Sequence, residues 1–311
     1  MYKIKLNTAL NNKSTTIATI GNFDGVHLGH QQLLKQLNHE AKKIDAWRIL
    51  ITFDILPREY FADKTRSLRL PRIGLLRDKI NQIKQLNLID EVIIIHFNKY
   101  VAQIEANLFA KNILLNQLGI SHMLVGHDFR FGAKASGNIH NLTQAGIITN
   151  EFNQYKYNNI RISSSLIREL ATEQNLPRIQ ELLGHNITYS STIVYGNQLG
   201  RKYGVPTINL NLRKTRPVLW GIYCGYVYIE GNRYNSVISI GKNPTVSAGL
   251  VYKVEAHLFD INLDLYGKIA TIEILHYLRP ELKFTDLDTL FAQIHQDMLD
   301  ARNFFAQLGT N

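Results

Sequence analysis

Cysteine is nearly absent from this chain: Cys224 is the only one in 311 residues. No intramolecular disulfide can form, and the usage fits a reducing compartment. Cys224 falls in the strand-like run Gly221–Ile229, where a buried packing role is expected rather than a nucleophile. Long apolar runs are missing too. Val92–Ile95 is long enough for a buried strand and far too short for a membrane span. Met1–Ser14 has no stretch apolar enough for a signal peptide. The expectation is a cytoplasmic chain with no membrane partner. Internal repeats, low-complexity segments and long linkers are also missing. Acidic residues are outnumbered, 25 against 35 Lys and Arg, for a net charge of +10. The basic excess concentrates where Lys64, Arg66, Arg69, Arg72, Arg77, Lys79 and Lys84 face only Asp78. Nucleic-acid proteins carry such stretches, but no basic motif is interleaved with aromatics here. A solvated helix face that attracts small anionic substrates is expected instead, with no nucleic-acid partner.

What is present suits two domains: 311 residues, 45% of them hydrophobic. The first part alternates. Apolar strand runs at Thr15–Ile20, Arg48–Phe53, Glu91–Phe97 and His122–Val125 are separated by helical patterns at Leu33–Ala41, Leu75–Leu86 and Ile104–Leu118. That rhythm predicts a parallel sheet with crossover helices, and ligands beyond the carboxyl ends of its strands. After Leu183 the rhythm changes to short strands: Ser191–Tyr195, Thr207–Leu210, Gly221–Ile229, Ser236–Ile240, Lys253–Phe259 and Lys268–Leu278. These predict a small antiparallel barrel. A last helix carries Leu287, Leu290, Phe291, Ile294, Met298, Ala301 and Phe305 as its apolar stripe.

The segment from Thr19 through Gly21, Asn22, Phe23, Asp24, Gly25, Val26, His27, Leu28 and Gly29 to His30 is the richest in chemistry. A buried strand stops at Gly21, and the apolar stripe of a helix follows His30. His27 and His30, three apart, fall at the first helical turn and can face one anion. Free N–H groups and the helix dipole make such a turn a phosphate site. Exposed histidines or a metal pair are the alternatives, but the i, i+4 spacing with a nearby glutamate that zinc helices favour is missing.

Other segments are less decisive alone. In Gly126–Gly132, Asp128 and Arg130 suit ribose, phosphate or metal, or the loop is merely structured above two phenylalanines. Ser163, Ser164 and Ser165 before Arg168 suit an anion at a helix start, or simple capping. The glycine-rich, basic run Gly196–Asn209 can lay N–H groups on phosphates, with Thr207 and Asn209 on one strand face as hard oxygen donors for Mg²⁺; a plain hairpin is the alternative. Glu255 alternates with apolar neighbours, as either a proton acceptor or an exposed strand residue.

Taken in order, these segments resemble the bifunctional riboflavin kinase/FAD synthetases of bacteria. Thr52-Phe53 to Pro57-Arg58, Gly221-Ile222-Tyr223, Ile240–Thr245, Glu255–Gly267, Leu278–Glu281, and Gln293, Asp297 and Ala301-Arg302 extend the resemblance over nearly the whole chain. It implies an α/β fold. A Rossmann-like FMN adenylyltransferase domain would occupy residues 1–183. A kinase domain, a six-stranded antiparallel barrel with a closing helix, would occupy 184–311. In the first domain His27 and His30 would be catalytic. Gly21, Phe23, Asp24, Gly25, His27, His30, Asp128, Ser163, Ser164 and Arg168 would bind ATP, and Asp54, Pro57, Arg58 and Phe61 the flavin. In the second, Gly196, Gly200, Arg201, Gly204, Pro206, Thr207 and Asn209 would bind ATP, Thr207 and Asn209 would serve Mg²⁺, and Glu255 would be the base. ATP is the implied co-substrate. Riboflavin, FMN and FAD are the implied substrates or products, and the chain is expected to be a monomer or weak homo-oligomer. There are departures. Asp54-Ile55-Leu56-Pro57 stands where the family commonly has Glu-Pro-x-Pro, and losing a proline is expected to loosen that loop. Ser239 replaces an asparagine, Ile208 an alanine and His185 an arginine. The competing readings are a single active domain, or a non-catalytic flavin- or nucleic-acid-binding regulator.

Overall fold

Strands that are apolar along their whole length need cover on both faces, and the first half of the chain builds that arrangement. The computed structural model describes residues 1–6, 14–196, 200, 203–245, 249–261 and 263–309, without side chains at 243–245 and 249–251. The chain divides into two compact units, Met1–Leu70 with Lys79–Ser163, and Pro71–Asp78 with Ser164–Asn311.

The first unit holds a six-stranded sheet in the order β1-β4-β3-β2-β5-β6. The strands are β1 (Tyr2–Lys5), β2 (Thr16–Ile20), β3 (Trp47–Phe53), β4 (Glu91–Ile95), β5 (His122–Gly126) and β6 (Ile148–Phe152). Only β1 runs antiparallel to its neighbour. A small hairpin, β7 (Lys156–Tyr157) and β8 (Ile160–Arg161), follows. The helices are α1 (Leu28–Lys43), α2 (Pro57–Thr65), α3 (Leu76–Leu86, of which residues 79–86 belong to this unit), α4 (Ala106–Leu108, continued by a π-helical stretch Phe109–Gln117) and α5 (Ile139–Gln144). Helix α1 buries Leu33, Leu34, Leu37 and Ala41, the stripe its sequence predicts. From β2 the chain adds β3 and β4 on one side, then returns to add β5 and β6 on the other. The sheet therefore has its topological switch point between β2 and β5, where open α/β sheets bind ligands. The loops Gly21–His27 and Gly126–Phe131 leave from those two strands.

The second unit is a closed antiparallel barrel in the order β10-β13-β12-β11-β14-β9. Its strands are β9 (Thr188–Val194), β10 (Ile208–Leu210), β11 (Gly221–Ile229), β12 (Asn232–Thr245), β13 (Gly249–Leu258) and β14 (Ile269–Arg279). Side-chain alternation puts Val254, Ala256 and Leu258 into the core and leaves Glu255 and His257 on the outer face. Two helices, α6 (Ser164–Thr172) and α7 (Leu176–Leu183), add Ile167, Ala171, Leu176, Ile179 and Leu183 to the same core. Packing thus groups residues 164–183 with the barrel, upstream of the change of rhythm at Leu183. The closing helix α8 (Leu287–Leu308) seats Ala301 on Cys224 and Phe259. Burial pushes the Cys224 thiol up to about 12, as suits a packing residue.

Two expectations need correction. The basic stretch is not one solvated face: Arg72 and Lys79 are buried, and so is Asp78. Ile73 inserts into the barrel core and draws its neighbours in, and the Arg72 N–H donates to the Arg216 carbonyl at 2.8 Å. Leu287 is half exposed, because α8 engages the barrel only from its second turn onward.

Candidate active sites

In the first unit, His27 is the N-cap of α1, and its Nδ1 accepts from the His30 N–H at 3.3 Å. With Nδ1 accepting, a neutral His27 carries its proton on Nε2, where it can donate to an anion. The two imidazoles stack, and Phe23 lies 4.8 Å from His30 on the other side. Phe23 (φ 47°), Gly25 (φ 80°) and Val26 (φ 40°) take left-handed backbone conformations. For Phe23 and Val26 that costs about 1–2 kcal/mol each, and such strain collects at ligand-binding turns. Asp24 is buried in the same turn.

Beneath the histidines Lys79 is buried, donating to Thr52 Oγ1 at 3.0 Å and the Phe53 carbonyl at 3.3 Å. Burial, then His27, then Lys79 hold His30 well below the ordinary histidine range. His30 Nδ1 is shielded from water and has no hydrogen-bond partner among the described residues. Buried positive charge, a helix N-terminus and an unsatisfied imidazole together favour an anion. The Ile162 carbonyl lies against Gly29, which brings Ser163 to the first turn of α1. Asp128 stands exposed in its loop, paired with Arg161 at 2.5 Å, above the stacked Phe129 and Phe131. Ser164 and Arg168 belong to the second unit, where Arg168 Nε donates to the Pro71 carbonyl at 2.7 Å.

The flavin-site residues expected from the family gather at the ends of β3 and β4. Pro57 opens α2, Arg58 is exposed, and Phe61 meets Tyr60 and Phe97 edge to face. Asp54 has both oxygens engaged, one by the Ile55 N–H at 2.6 Å and the other by His96 Nδ1 at 2.6 Å. Buried Glu59 accepts from the Leu56 N–H at 2.9 Å. The loop expected to be loose is therefore pinned at two consecutive amides. Two carboxylates do there what a proline's fixed φ would do.

In the second unit, β10 pairs with β13 so that Asn209 stands opposite Glu255. Residues directly opposite share a face, so Asn209 joins Glu255 and His257 outside the barrel, with Thr207 two residues before it. His257 Nδ1 donates to the Pro206 carbonyl at 2.8 Å, which ties the loop to the strand. Burial lowers the His257 pKa, so the ring stays neutral. Gly200 turns that loop: a Cβ there would stand 2.2 Å from the Val205 carbonyl oxygen, a place only glycine can fill. Gly196 lies against the Asn209 amide, and Gly204 (φ 79°) faces open space. Arg201 lies outside the described residues.

Between this face and α8 is a cavity of about 340 Å³, within the range of small-molecule sites. Thr207, Glu255 and His257 line one wall; Leu290, Phe291, Ile294 and Met298 of α8 line the other. Tyr203 stacks on Phe291 at 4.0 Å. Arg279 Nε and Nη2 each donate to buried Asp297 at 2.7 Å, and Gln293 adds a third bond to the same carboxylate. Lys253 Nζ lies 3.6 Å from Glu255.

Sequence reasoning missed Lys79, Tyr60 and Phe97 in the first unit, and Lys253 in the second. Lys79 had a signal: it precedes Ile83 by one helical turn, on the stripe that the core covers.

The FAD synthetase family matches residues 9–166, and the riboflavin kinase family matches residues 183–305. A bifunctional riboflavin kinase/FMN adenylyltransferase of Haemophilus influenzae is 37% identical over 92% of this chain and 93% of its own. The protein of that name from Escherichia coli K12 is 36% identical over 93% and 92%. A crystal structure described as a macrolide-efflux protein from Streptococcus pneumoniae superposes with a TM-score of 0.74 at 26% identity, over 96% of this chain and 98% of that one. Among the described residues of this chain, no helix is long and apolar enough to cross a membrane. With both families matched in order, and relatives this similar over more than nine-tenths of its length, the chain belongs to the bifunctional riboflavin kinase/FMN adenylyltransferases.

Proposed function

We propose that the barrel unit phosphorylates riboflavin to FMN with ATP, and that the sheet unit joins FMN to AMP from a second ATP, releasing pyrophosphate. The observation that carries this reading is the pair of unlike sites, one in each unit. A histidine-capped helix start with buried positive charge suits a polyphosphate. A half-apolar cavity lined by Glu255 and Thr207, with Asn209 opposite Glu255 on the neighbouring strand, suits a flavin and its phosphate donor.

In the kinase reaction Glu255 accepts the proton of the riboflavin terminal hydroxyl as its oxygen attacks the γ-phosphorus, and ADP leaves. Thr207 and Asn209 offer hard oxygens with no hydrogen-bond partner among the described residues, and they share the face of Glu255. Among the described residues no three His, Cys, Asp or Glu side chains converge as a metal cage. That donor set fits Mg²⁺, which takes one or two protein oxygens beside substrate phosphates. Thr207 and Asn209 would hold the ion, which neutralises phosphate charge when bound. The glycine-rich loop and the Arg279–Asp297 pair position the substrates.

In the transferase reaction a phosphate oxygen of FMN attacks the α-phosphorus of ATP. The α1 N-terminus and His27 Nε2–H stabilise the pyrophosphate as it leaves. Asp128 and Ser163 complete the ATP site in this reading, and the cluster of Tyr60, Phe61 and Phe97 offers aromatic faces to the flavin. The reading also places the chain in the cytoplasm, as a monomer or weak homo-oligomer acting on small molecules; the single buried cysteine supports a reducing compartment.

Incubation with riboflavin, ATP and Mg²⁺, followed by chromatography over time, tests it. FMN should appear first and FAD follow. FMN without FAD, or FAD only from supplied FMN, would leave one unit inactive; flavin binding without turnover would favour a regulator.

A further inference from the structure

Along α8 the cavity of the barrel unit is lined by Leu290, Phe291, Ile294 and Met298, with Asp297 held there by Arg279, and Glu255 lines it too. A further carboxylate lines that cavity, Glu281, just after β14. Gly241 on β12 makes its seat. A Cβ at Gly241 would stand 1.9 Å from Glu281 Oε1, so the carboxylate lies directly over that glycine. The seat adjoins the base: Gly241 pairs with Lys253, whose ammonium is 3.6 Å from Glu255.

Glu281 has open acceptor capacity. The Arg279 guanidinium, two residues before it, is committed to Asp297 by two bonds of 2.7 Å and to the Pro280 carbonyl by a third. Among the described residues no group donates a hydrogen bond to Glu281. Desolvation raises its pKa, Lys242 and Arg279 pull it down, and Glu255 pushes it up again. Glu281 thus senses the base electrostatically while its lone pairs stay free. An acceptor so placed, in the cavity that Glu255 also lines, suits a hydroxyl on a molecule whose flat end packs against Leu290, Phe291, Ile294 and Met298.

We infer that Glu281 accepts a hydrogen bond from an internal hydroxyl of the riboflavin polyol chain, and so selects substrates that carry hydroxyls next to the terminal one that reacts. This rests on the kinase reading above. Two carboxylates then divide the chain of hydroxyls, Glu255 taking the reacting one and Glu281 a neighbour. The contact is made in the ground state and retained through the reaction, so its loss appears chiefly in KM.

The test compares riboflavin with a flavin bearing an unbranched 5-hydroxypentyl chain at N10, which keeps the reacting hydroxyl and lacks the internal ones. A hydrogen bond to a charged group corresponds to about a ten- to hundredfold preference. The parent should favour riboflavin by that factor in kcat/KM. Glu281→Ala should lose most of the preference through a raised KM for riboflavin, with the hydroxypentyl flavin affected far less. Gly241→Ala, which unseats the carboxylate without removing it, should lose the preference too, and it decides the matter if Glu281→Ala does not fold. Preference kept in both variants, or both substrates losing equally, overturns the inference and leaves the kinase reading standing. No phosphorylation of riboflavin by the parent overturns the kinase reading, and this inference with it.

Discussion

The imidazoles of His27 and His30 lie face to face, their centroids 3.7 Å apart and their planes 14° from parallel. Two protonated rings at that spacing would repel strongly. Burial, His27 and Lys79 already keep His30 well below the usual histidine range. Burial and the neighbouring positive groups thus disfavour a second proton on the pair. His27 Nδ1 accepts from the His30 backbone N–H, which fixes the cap and holds the His27 ring in place.

Replacing either ring by asparagine should disable adenylyl transfer alone. Loss of one preorganised donor at a developing charge typically costs about 10²–10³-fold in kcat. His27→Asn also risks the cap, although Asn is itself a good N-cap residue. FAD formation from supplied FMN should fall by that factor in both variants, while FMN formation from riboflavin stays within about twofold. FAD synthesis at the parental rate would remove the histidines from the mechanism.

The pinned loop reverses a simple expectation about Ile55→Pro. Restoring the family's usual proline would fix φ, but it would also delete the Ile55 N–H that Asp54 accepts at 2.6 Å. Asp54 bridges onward to His96, so the loss loosens the tie between β3 and the end of β4. The variant should melt lower, and its KM for FMN in FAD synthesis should be unchanged or raised. A lowered KM would show that the proline's rigidity outweighs the lost bond.

These cases mark what the sequence makes legible. The runs that became β2, β3, β4 and β5 are apolar because both faces are covered, so their existence and parallel pairing could be read directly. The edge strands β1 and β6 could not. Their residues are mostly exposed, and Tyr2–Lys5 and Ile148–Phe152 read like loop. In the barrel, alternation put Glu255 on the face opposite Val254, Ala256 and Leu258 but did not say which face is outside, and the cavity beside it needs α8, a helix remote in sequence. Leu290, Phe291, Ile294 and Met298 read as core; they line a cavity because the barrel face opposite them is polar. Lys79 was hidden by the charges around it.

Asp78 should set a pH dependence of stability. It is buried beside Ser190 and Thr188; burial raises its pKa to about 6 from an ordinary 3.8, partly offset by the Leu75 N–H it accepts at 2.8 Å. Below about pH 4 the carboxyl is protonated in folded and unfolded chains alike, and the burial costs little. As pH rises from there to about 6, the unfolded state gives up the proton first, so stability falls. Above that the full cost, about 1–3 kcal/mol, is present. Asp78→Asn retains an acceptor for Leu75 and removes the charge. At pH 8 it should raise the melting point of the barrel unit by several degrees, at about 2–4 °C per kcal/mol, and the gap should close toward pH 4. Equal melting at pH 8 would show that the carboxylate is already compensated.

Truncation should separate rhythm from packing. A chain starting near Gly184 lacks Ile167, Leu176, Ile179 and Leu183, which share the barrel core. Each fully buried aliphatic side chain contributes about 1.5–3 kcal/mol, so this chain should be markedly less stable than one starting at Ser164. Both also lose Ile73. Circular dichroism melts of the two, with riboflavin phosphorylation measured alongside, give the comparison. Equal stability would mean that α6 and α7 rest on the barrel without supporting it.

Glu255→Gln should isolate the base. Glu255 stands outside the barrel opposite Asn209, with Lys253 Nζ at 3.6 Å. Glutamine keeps the size and can still accept a hydrogen bond from the substrate hydroxyl, but it cannot take the proton. A general base contributes about 10²–10⁴-fold. That loss should fall on kcat for riboflavin phosphorylation, with KM for riboflavin and ATP little changed, because the binding walls along α8 and the glycine-rich loop are untouched. FAD formation from supplied FMN should continue at the parental rate, since that chemistry belongs to the other unit. If kcat stays within a few-fold of the parent, the hydroxyl loses its proton to solvent or to phosphate, and Glu255 serves only to orient it.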